Sequence, residues 1–196
     1  MGNPESPEPR SPRPVGLPRW LAISLTPLIW VVLPTIHAGL PWALSHLGPR
    51  YGWDGGGPSD WNLFGYGPIA VGAIVLAWIM VFGLTQIRNV PDWVPIDYYN
   101  PAFLMTGRPY AVSRHPMYVG ELALWVGVSV LFGSPVALAG SAAVFAVMRW
   151  LVAREEAGLE AAFGEAYRRY KAHVPQWIGL PWRSASGLEV DEWPGS

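Results

Sequence analysis

The chain has 196 residues, 14% charged and 51% hydrophobic, with a formal net charge of −1 and no cysteine. Ordinary soluble domains carry roughly 25% charged residues, and this balance leaves no basic surface for nucleic acid. Without cysteine there is no disulfide framework, iron–sulfur cluster or thiolate zinc site, and the βαβ alternation of a soluble dinucleotide-binding enzyme is absent.

Residues 1–18 contain six prolines and no apolar periodicity, and read as a disordered tail. Met1, Gly2 and Ser6 satisfy the bare myristoylation pattern, in an unusually proline-rich setting. No Asp, Glu, Lys or Arg occurs from Trp20 to Pro49, from Trp61 to Ile87, or from Leu122 to Met148. Each run exceeds the roughly 20 apolar residues that cross a bilayer core, so the chain is read as an integral membrane protein. The first span is expected over about Trp20 to Leu44. Pro27, Pro34 and Pro41 recur there every seven residues on one face, which predicts a kinked helix buttressed by neighbours. A glycine-rich loop follows, then a second span over about Leu63 to Gln86.

The run from Leu122 to Met148 fits either one long kinked helix or a hairpin turning at Phe132-Gly133-Ser134-Pro135. Basic residues gather on the cytoplasmic side of membranes, and here they cluster at 10–19, 88–114 and 149–183, with Arg50 alone in the remaining loops. A hairpin puts every cluster on one side and is preferred. The expected fold is therefore all-α and polytopic, with about four transmembrane helices including a C-terminal hairpin, plus a cytosolic C-terminal helix. Both termini are then cytosolic, and in a bacterium the membrane would be the plasma membrane. Trp20, Trp42, Trp61, Trp93, Trp150 and Trp177 lie near the expected boundaries, at the level indole rings prefer. Beyond the last span the helix is expected to continue to Pro175, with Leu159, Ala162, Phe163, Tyr167 and Tyr170 on one face. Residues 19–180 form a single membrane domain on this reading, 19–87 holding the first two spans and 88–180 the catalytic part. Residues 181–196 are a flexible tail.

Ionisable groups at membrane depth cost at least about 2.5 kcal/mol on insertion scales and are functional candidates. Glu121 and Arg149 meet that description, and they can equally snorkel to water or pair with each other. The densest constellation is Tyr110-Ala-Val-Ser-Arg114-His115-Pro116-Met-Tyr118-Val-Gly120. Pro116 suits the first turn of a helix, which leaves His115 beside free amide donors and the positive end of a helix dipole, where a carboxylate or phosphate binds. Gly65-x-Gly67-x-x-Ala70 opens a membrane span with no strand before it and is read as helix packing. His37, His46 and His173 lack metal-ligand spacing, so no metal is expected, and His37 reads as an interhelical hydrogen-bonding residue.

Several motifs occur together and in order. Gly107-Arg-Pro109-Tyr110 is followed by Arg114-His115-Pro116-x-Tyr118-x-Gly120, then the apolar hairpin. Next come Glu155-Glu156-x-x-Leu159-x-x-x-Phe163-Gly164-x-x-Tyr167-x-x-Tyr170 and Val174-Pro175-x-Trp177. Over about residues 103–178 the chain resembles the isoprenylcysteine carboxyl methyltransferase and phospholipid methyltransferase family of integral-membrane enzymes. It departs from many members at Gln176, where Arg is common, and at Gly179, where Pro is frequent. The resemblance implies S-adenosylmethionine as methyl donor, S-adenosylhomocysteine as product, and a lipid or prenylated small molecule as acceptor, reached through the membrane lipids.

The resemblance further implies a cytosol-facing cofactor pocket holding His115, Pro116, Tyr118, Gly120, Glu155, Glu156, Phe163, Tyr167 and Trp177. His115 and the following amides would hold the donor carboxylate, and Glu155 or Glu156 the ribose hydroxyls or the amino group. The aromatic residues would pack the adenine or face the sulfonium, although simple packing explains Phe163, Tyr167 and Tyr170 as well. Adjacent glutamates lie about 100° apart on a helix, so one faces inward, preferably Glu156, while the other is solvated or paired with Arg154. Arg149 or Arg154 would hold a carboxylate acceptor, whereas Glu121 or Glu156 would take the proton of an amine acceptor. Two rivals stand beside this reading. Sterol reductases share a related Arg-His-Pro segment but use NADPH, whose 2′-phosphate asks for a cation where Glu155-Glu156 stands. A non-catalytic membrane scaffold would bind no cofactor.

Overall fold

The computed structural model describes residues 19–89 and 104–179. The tails at 1–18 and 181–196, the myristoylation pattern and Trp93 lie outside the described residues. Among those described, all regular structure is helical: α1 (Arg19–Leu44), a 3₁₀ segment (Asp60–Gly65), α2 (Tyr66–Asn89), α3 (Pro116–Leu131) and α4 (Pro135–His173). Three stretches are long and apolar enough to cross a membrane, Ile23–Leu44, Asp60–Gln86 and Pro135–His173, and α3 is a shorter apolar helix of 16 residues. The chain is a multi-pass membrane protein.

The third charge-free run is a hairpin, and its local chemistry explains why. Gly133 adopts φ 55°, and a Cβ there would strike the Tyr51 carbonyl. The left-handed region and the crowding both select glycine. Ser134 caps α4 by accepting from the Ala137 amide at 3.2 Å, with Pro135 following in the first turn. The loop before α2 is tied onto this turn. Tyr51 N–H donates to Gly133 O at 3.0 Å, Trp53 Nε1 donates to Leu131 O at 2.9 Å, and Trp53 stacks on Phe132. Buried Asn62 donates to both Tyr51 O and Val130 O at 3.1 Å, while its own oxygen accepts from Ser59.

α3 is the central helix and touches α1, α2, α4 and the 3₁₀ segment. It packs antiparallel to the continuous 3₁₀ segment and α2 through two glycine pairs. A Cβ on Gly65 would lie 2.5 Å from Gly127 O, and one on Gly72 would lie 2.6 Å from Gly120 O. Small residues let membrane helices approach closely, where packing replaces the hydrophobic drive. Gly67, by contrast, has open space around it, so only Gly65 of the glycine motif serves packing. α1 runs antiparallel to α4, with Leu44 against Gly140. Trp20, Leu28, Val31, Trp42, Val71, Ile74, Val147 and Trp150 are exposed on the outer surface, as lipid-facing side chains would be.

The long last helix departs from expectation. Gly164 sits at φ 53°, ψ −121°, so Pro135–His173 is two helices joined at a kink. A conformation that glycine adopts freely interrupts the ladder there. Leu159, Phe163, Tyr167 and Tyr170 still pack with Leu104, Val174 and Tyr110 in one cluster, but Ala162 is exposed. The second helix ends before Pro175, which drives Val174 into an extended conformation.

Candidate active site

His115 is the N-cap of α3 and Pro116 its first residue, as the dipeptide chemistry demands. The segment leading into the cap is fixed by the chain leaving α4. Arg114 N–H donates to Pro175 O at 3.0 Å, Gly179 N–H to Val112 O at 2.9 Å, and Tyr170 Oη to Tyr110 O at 2.7 Å. This pairing carries residues 110–115 alongside 174–179 and under the part of α4 that follows Met148.

At the centre of the junction lies Glu156, 6% exposed. Its Oε1 accepts from Arg114 Nε at 3.0 Å, His115 Nε2 at 3.2 Å and Gln176 Nε2 at 3.2 Å, with Arg114 Nη2 at 2.8 Å. Lys171 Nζ is 3.5 Å from Oε2. Arg114 is itself held further, because Nη1 donates to the carbonyls of Lys171 at 2.9 Å and Val174 at 3.0 Å. Burial works to raise the Glu156 carboxyl, but the Arg114 charge and the hydrogen bonds from Gln176, His115 and Arg114 outweigh it and hold the group below the usual 4.5. Glu156 is therefore a buried, ionised keystone whose Oε1 gathers Arg114, His115 and Gln176 while Oε2 faces Lys171.

Glu155, about 100° around the helix, has a different environment. Its side chain is 49% exposed, with Oε2 3.7 Å from His115 Nδ1 and 3.5 Å from Tyr118 Oη. The His115 ring, almost wholly buried, thus stands between the two carboxylates. Its Nε2 carries a hydrogen, since the ionised Glu156 can only accept. The ring is not turned toward the amides of the first turn of α3, because Glu156 claims it.

The remaining sequence-selected residues separate into groups. Tyr118 and Glu121 line a cleft of about 430 Å³ between α1, α3 and α4. Glu121 does not pair with Arg149: its Oε2 faces His37 Nε2 of α1 at 3.7 Å, and Arg149 is exposed. Among the described residues Arg154 pairs with no glutamate either, and its guanidinium lies 4.7 Å over the exposed Trp150 ring. Both arginines are exposed on the outer surface of α4. Gly120 is buried against Leu76 and the Gly72 carbonyl of α2 rather than toward His115. Phe163 packs on the Tyr167–Tyr170 cluster, and Trp177 packs on Phe145 at 5.3 Å between centroids. Tyr167 is fully buried, yet its hydroxyl has no partner among the described residues. Arg114, Lys171 and Gln176 had no assigned role in the sequence reading; Gln176 stood out there only as a departure from the family pattern.

A family profile described as Phospholipid methyltransferase matches residues 63–166, just over half of the chain. Protein-S-isoprenylcysteine O-methyltransferase of Homo sapiens is 36% identical over 89 residues, which cover 45% of this chain and 30% of the human protein. The protein of the same name from Schizosaccharomyces pombe is 35% identical over 82 residues, covering 39% of this chain and 33% of its own. Protein-S-isoprenylcysteine O-methyltransferase B of Arabidopsis thaliana is 31% identical over 121 residues, covering 52% and 59%. The chain thus spans less than two thirds of the length of these relatives. No solved structure matches it. Because the profile match runs through α2 and α3 into α4 and takes in both His115 and the paired glutamates, the chain belongs to the phospholipid methyltransferase family.

Proposed function

We propose that residues 19–180 form one integral-membrane methyltransferase domain that moves a methyl group from S-adenosylmethionine to a lipid-like acceptor. The observation that carries this reading is the position of Tyr118, which lines the apolar cleft on one side and meets Glu155 on the other. A polar subsite and a lipid-lined subsite share this one side chain. The names of the relatives, isoprenylcysteine O-methyltransferases, support an amphipathic acceptor that reaches the cleft laterally from the bilayer.

The side chains fit the donor. Glu155 is a half-exposed carboxylate able to accept from ribose hydroxyls or an amino group. The first-turn amides of α3 and its dipole favour a carboxylate. The Tyr167 hydroxyl, buried and without a partner among the described residues, is a further polar group near the same junction. When bound, S-adenosylmethionine supplies an electrophilic methyl group on a sulfonium. Glu156 and Arg114 act by position: they fix His115 and the start of α3, which sets Tyr118 and Glu155 relative to the cleft. Tyr118 and Trp177 offer aromatic faces to a cation or a planar base. The cleft is lined almost wholly by apolar surface, and in-line displacement at a methyl carbon depends mainly on positioning and dryness. Sidedness follows the arginines, with both termini cytosolic.

Thermal unfolding of the detergent-purified protein tests the donor. S-adenosylhomocysteine at about 100 times its Kd should stabilise by about 2.7 kcal/mol and raise the midpoint by several degrees, while NADPH should leave it unmoved. Stabilisation by NADPH alone would sink the methyltransferase reading in favour of a reductase.

A further inference from the structure

Charge pairs between distant residues show how sharply α4 turns. Along an unbroken helix Glu156 and Lys171 would stand about 22 Å apart, beyond what their two side chains can bridge together. Here Lys171 Nζ lies 3.5 Å from Glu156 Oε2 and 3.7 Å from Glu160 Oε2, and Arg168 Nη1 lies 3.6 Å from Glu160 Oε1. Residues 165–173 therefore turn back toward 156–160. Leu159 and Phe163, from before the turn, pack against the cluster that holds Tyr167 and Tyr170 from after it.

Gly164 makes this turn. Its φ of 53° and ψ of −121° mirror the first central residue of a type II turn, a conformation dominated by glycine, asparagine and aspartate. A Cβ there would meet nothing within 4 Å, so the position selects glycine by backbone conformation and not by crowding. Gly158, earlier on the same helix, also faces open space but keeps helical dihedrals. The two glycines form a matched pair that differs in conformation alone.

The turn delivers the groups that hold the entrance to α3. Tyr170 Oη donates to Tyr110 O, the carbonyls of Lys171 and Val174 accept from Arg114 Nη1, and Pro175 O accepts from the Arg114 amide. Gln176 Nε2 donates to Glu156 Oε1 at 3.2 Å. Trp177 arrives on the same segment. An unbroken α4 would carry all of these away from residues 110–115 at once. The neighbours of Gly164 include Ala161, Ala162, Glu165 and Ala166, all strong helix formers, so the unbroken helix is the competing arrangement.

We propose that Gly164 is a positioning residue for the donor site. Its reversed backbone folds residues 165–179 into a clasp over the segment 110–115, and donor affinity depends on the clasp being closed. That the clasp serves a donor rests on the methyltransferase reading above; the fold-back of α4 does not.

The test uses the full chain in lipid nanodiscs. With no native cysteine to interfere, spin labels go on Ala146→Cys and Ala172→Cys, both exposed on α4. An unbroken helix would separate these positions by about 39 Å, and the clasp should give a clearly shorter distance by double electron–electron resonance. Gly164→Ala places a Cβ at positive φ and adds helix propensity, a shift of about 5- to 150-fold toward the unbroken form. Its distance distribution should extend toward the unbroken-helix value. S-adenosylhomocysteine, titrated well below the thermal midpoint, should bind it about fivefold or more weakly. Gly164→Asn, which tolerates positive φ, should recover most of that affinity, and Gly158→Ala should match the unmodified chain in both readouts. An unmodified chain at the unbroken-helix distance, unchanged affinity in Gly164→Ala, or equal losses in Gly164→Ala and Gly158→Ala would each overturn the proposal. If the unmodified chain binds no S-adenosylhomocysteine, the donor reading falls, and the distances in Gly164→Ala still decide whether Gly164 closes the clasp.

Discussion

The two adjacent glutamates have the same chemistry and opposite circumstances. Glu156 shares its carboxylate with Arg114, His115, Gln176 and Lys171, whereas Glu155 is half open to solvent. Removing one partner of a buried ion pair leaves an uncompensated charge and costs about 3–5 kcal/mol. Glu156→Ala should therefore lower the thermal midpoint severely, while Glu155→Ala should leave stability nearly unchanged and weaken S-adenosylhomocysteine binding. Unfolding scans and ligand affinity on the two variants separate these effects. The depressed Glu156 carboxyl also sets a pH dependence. Because its folded value lies below the usual 4.5, its stabilisation is complete above that value and disappears as pH falls through the depressed one. Midpoints measured between pH 6 and 3 should fall less steeply in Glu156→Gln than in the unmodified chain. The inequivalence of the glutamates was legible from helical geometry, since 100° of rotation cannot put both on one face. The partner was not. Arg114 lies 42 residues from Glu156 and reaches it only because the chain after α4 pairs with the segment before α3.

At the scale of elements, the hairpin was readable because Gly133-Ser134-Pro135 is a stop, a cap and a start written consecutively. The break at Gly164 was not, because a glycine inside a helical pattern costs only about 1 kcal/mol relative to alanine and does not by itself reverse φ. The glycine pairing of α2 with α3 was equally hidden, since it exists only where two distant helices meet. Its consequences are sharp. In Gly127→Ala the new Cβ would lie 2.7 Å from Gly65 O and from Ile69 N, atoms of the backbone that cannot turn aside. Gly67→Ala, two residues from Gly65 but in open space, should be neutral or stabilise by up to about 1 kcal/mol. Thermal midpoints of the two variants should therefore move apart. Equal midpoints would show that α2 and α3 do not meet through these glycines.

For the molecule as a whole, the contacts put the end of α1, the start of α2 and the α3–α4 turn at one end, and His115 with Glu155 and Glu156 at the other. The proposed orientation places the second end in the cytosol. The chain lacks cysteine, so single replacements report without interference. Gly55→Cys should react with a membrane-impermeant maleimide on intact cells, and Arg168→Cys only after permeabilisation; the reverse pattern would invert the topology. The modest length of the central helix has its own consequence. Sixteen residues rise about 24 Å, against a hydrocarbon slab of about 30 Å. α3 is therefore about 6 Å shorter than that slab, and since none of its residues is exposed, the longer α1, α2 and α4 face the lipid around it. Mismatch costs a fraction of a kcal/mol per ångström, and it falls on lipid-facing helices. The shortfall lies inside longer helices, so the thickness of the host membrane acts on α1, α2 and α4 and reaches Tyr118 and Glu155 only through them.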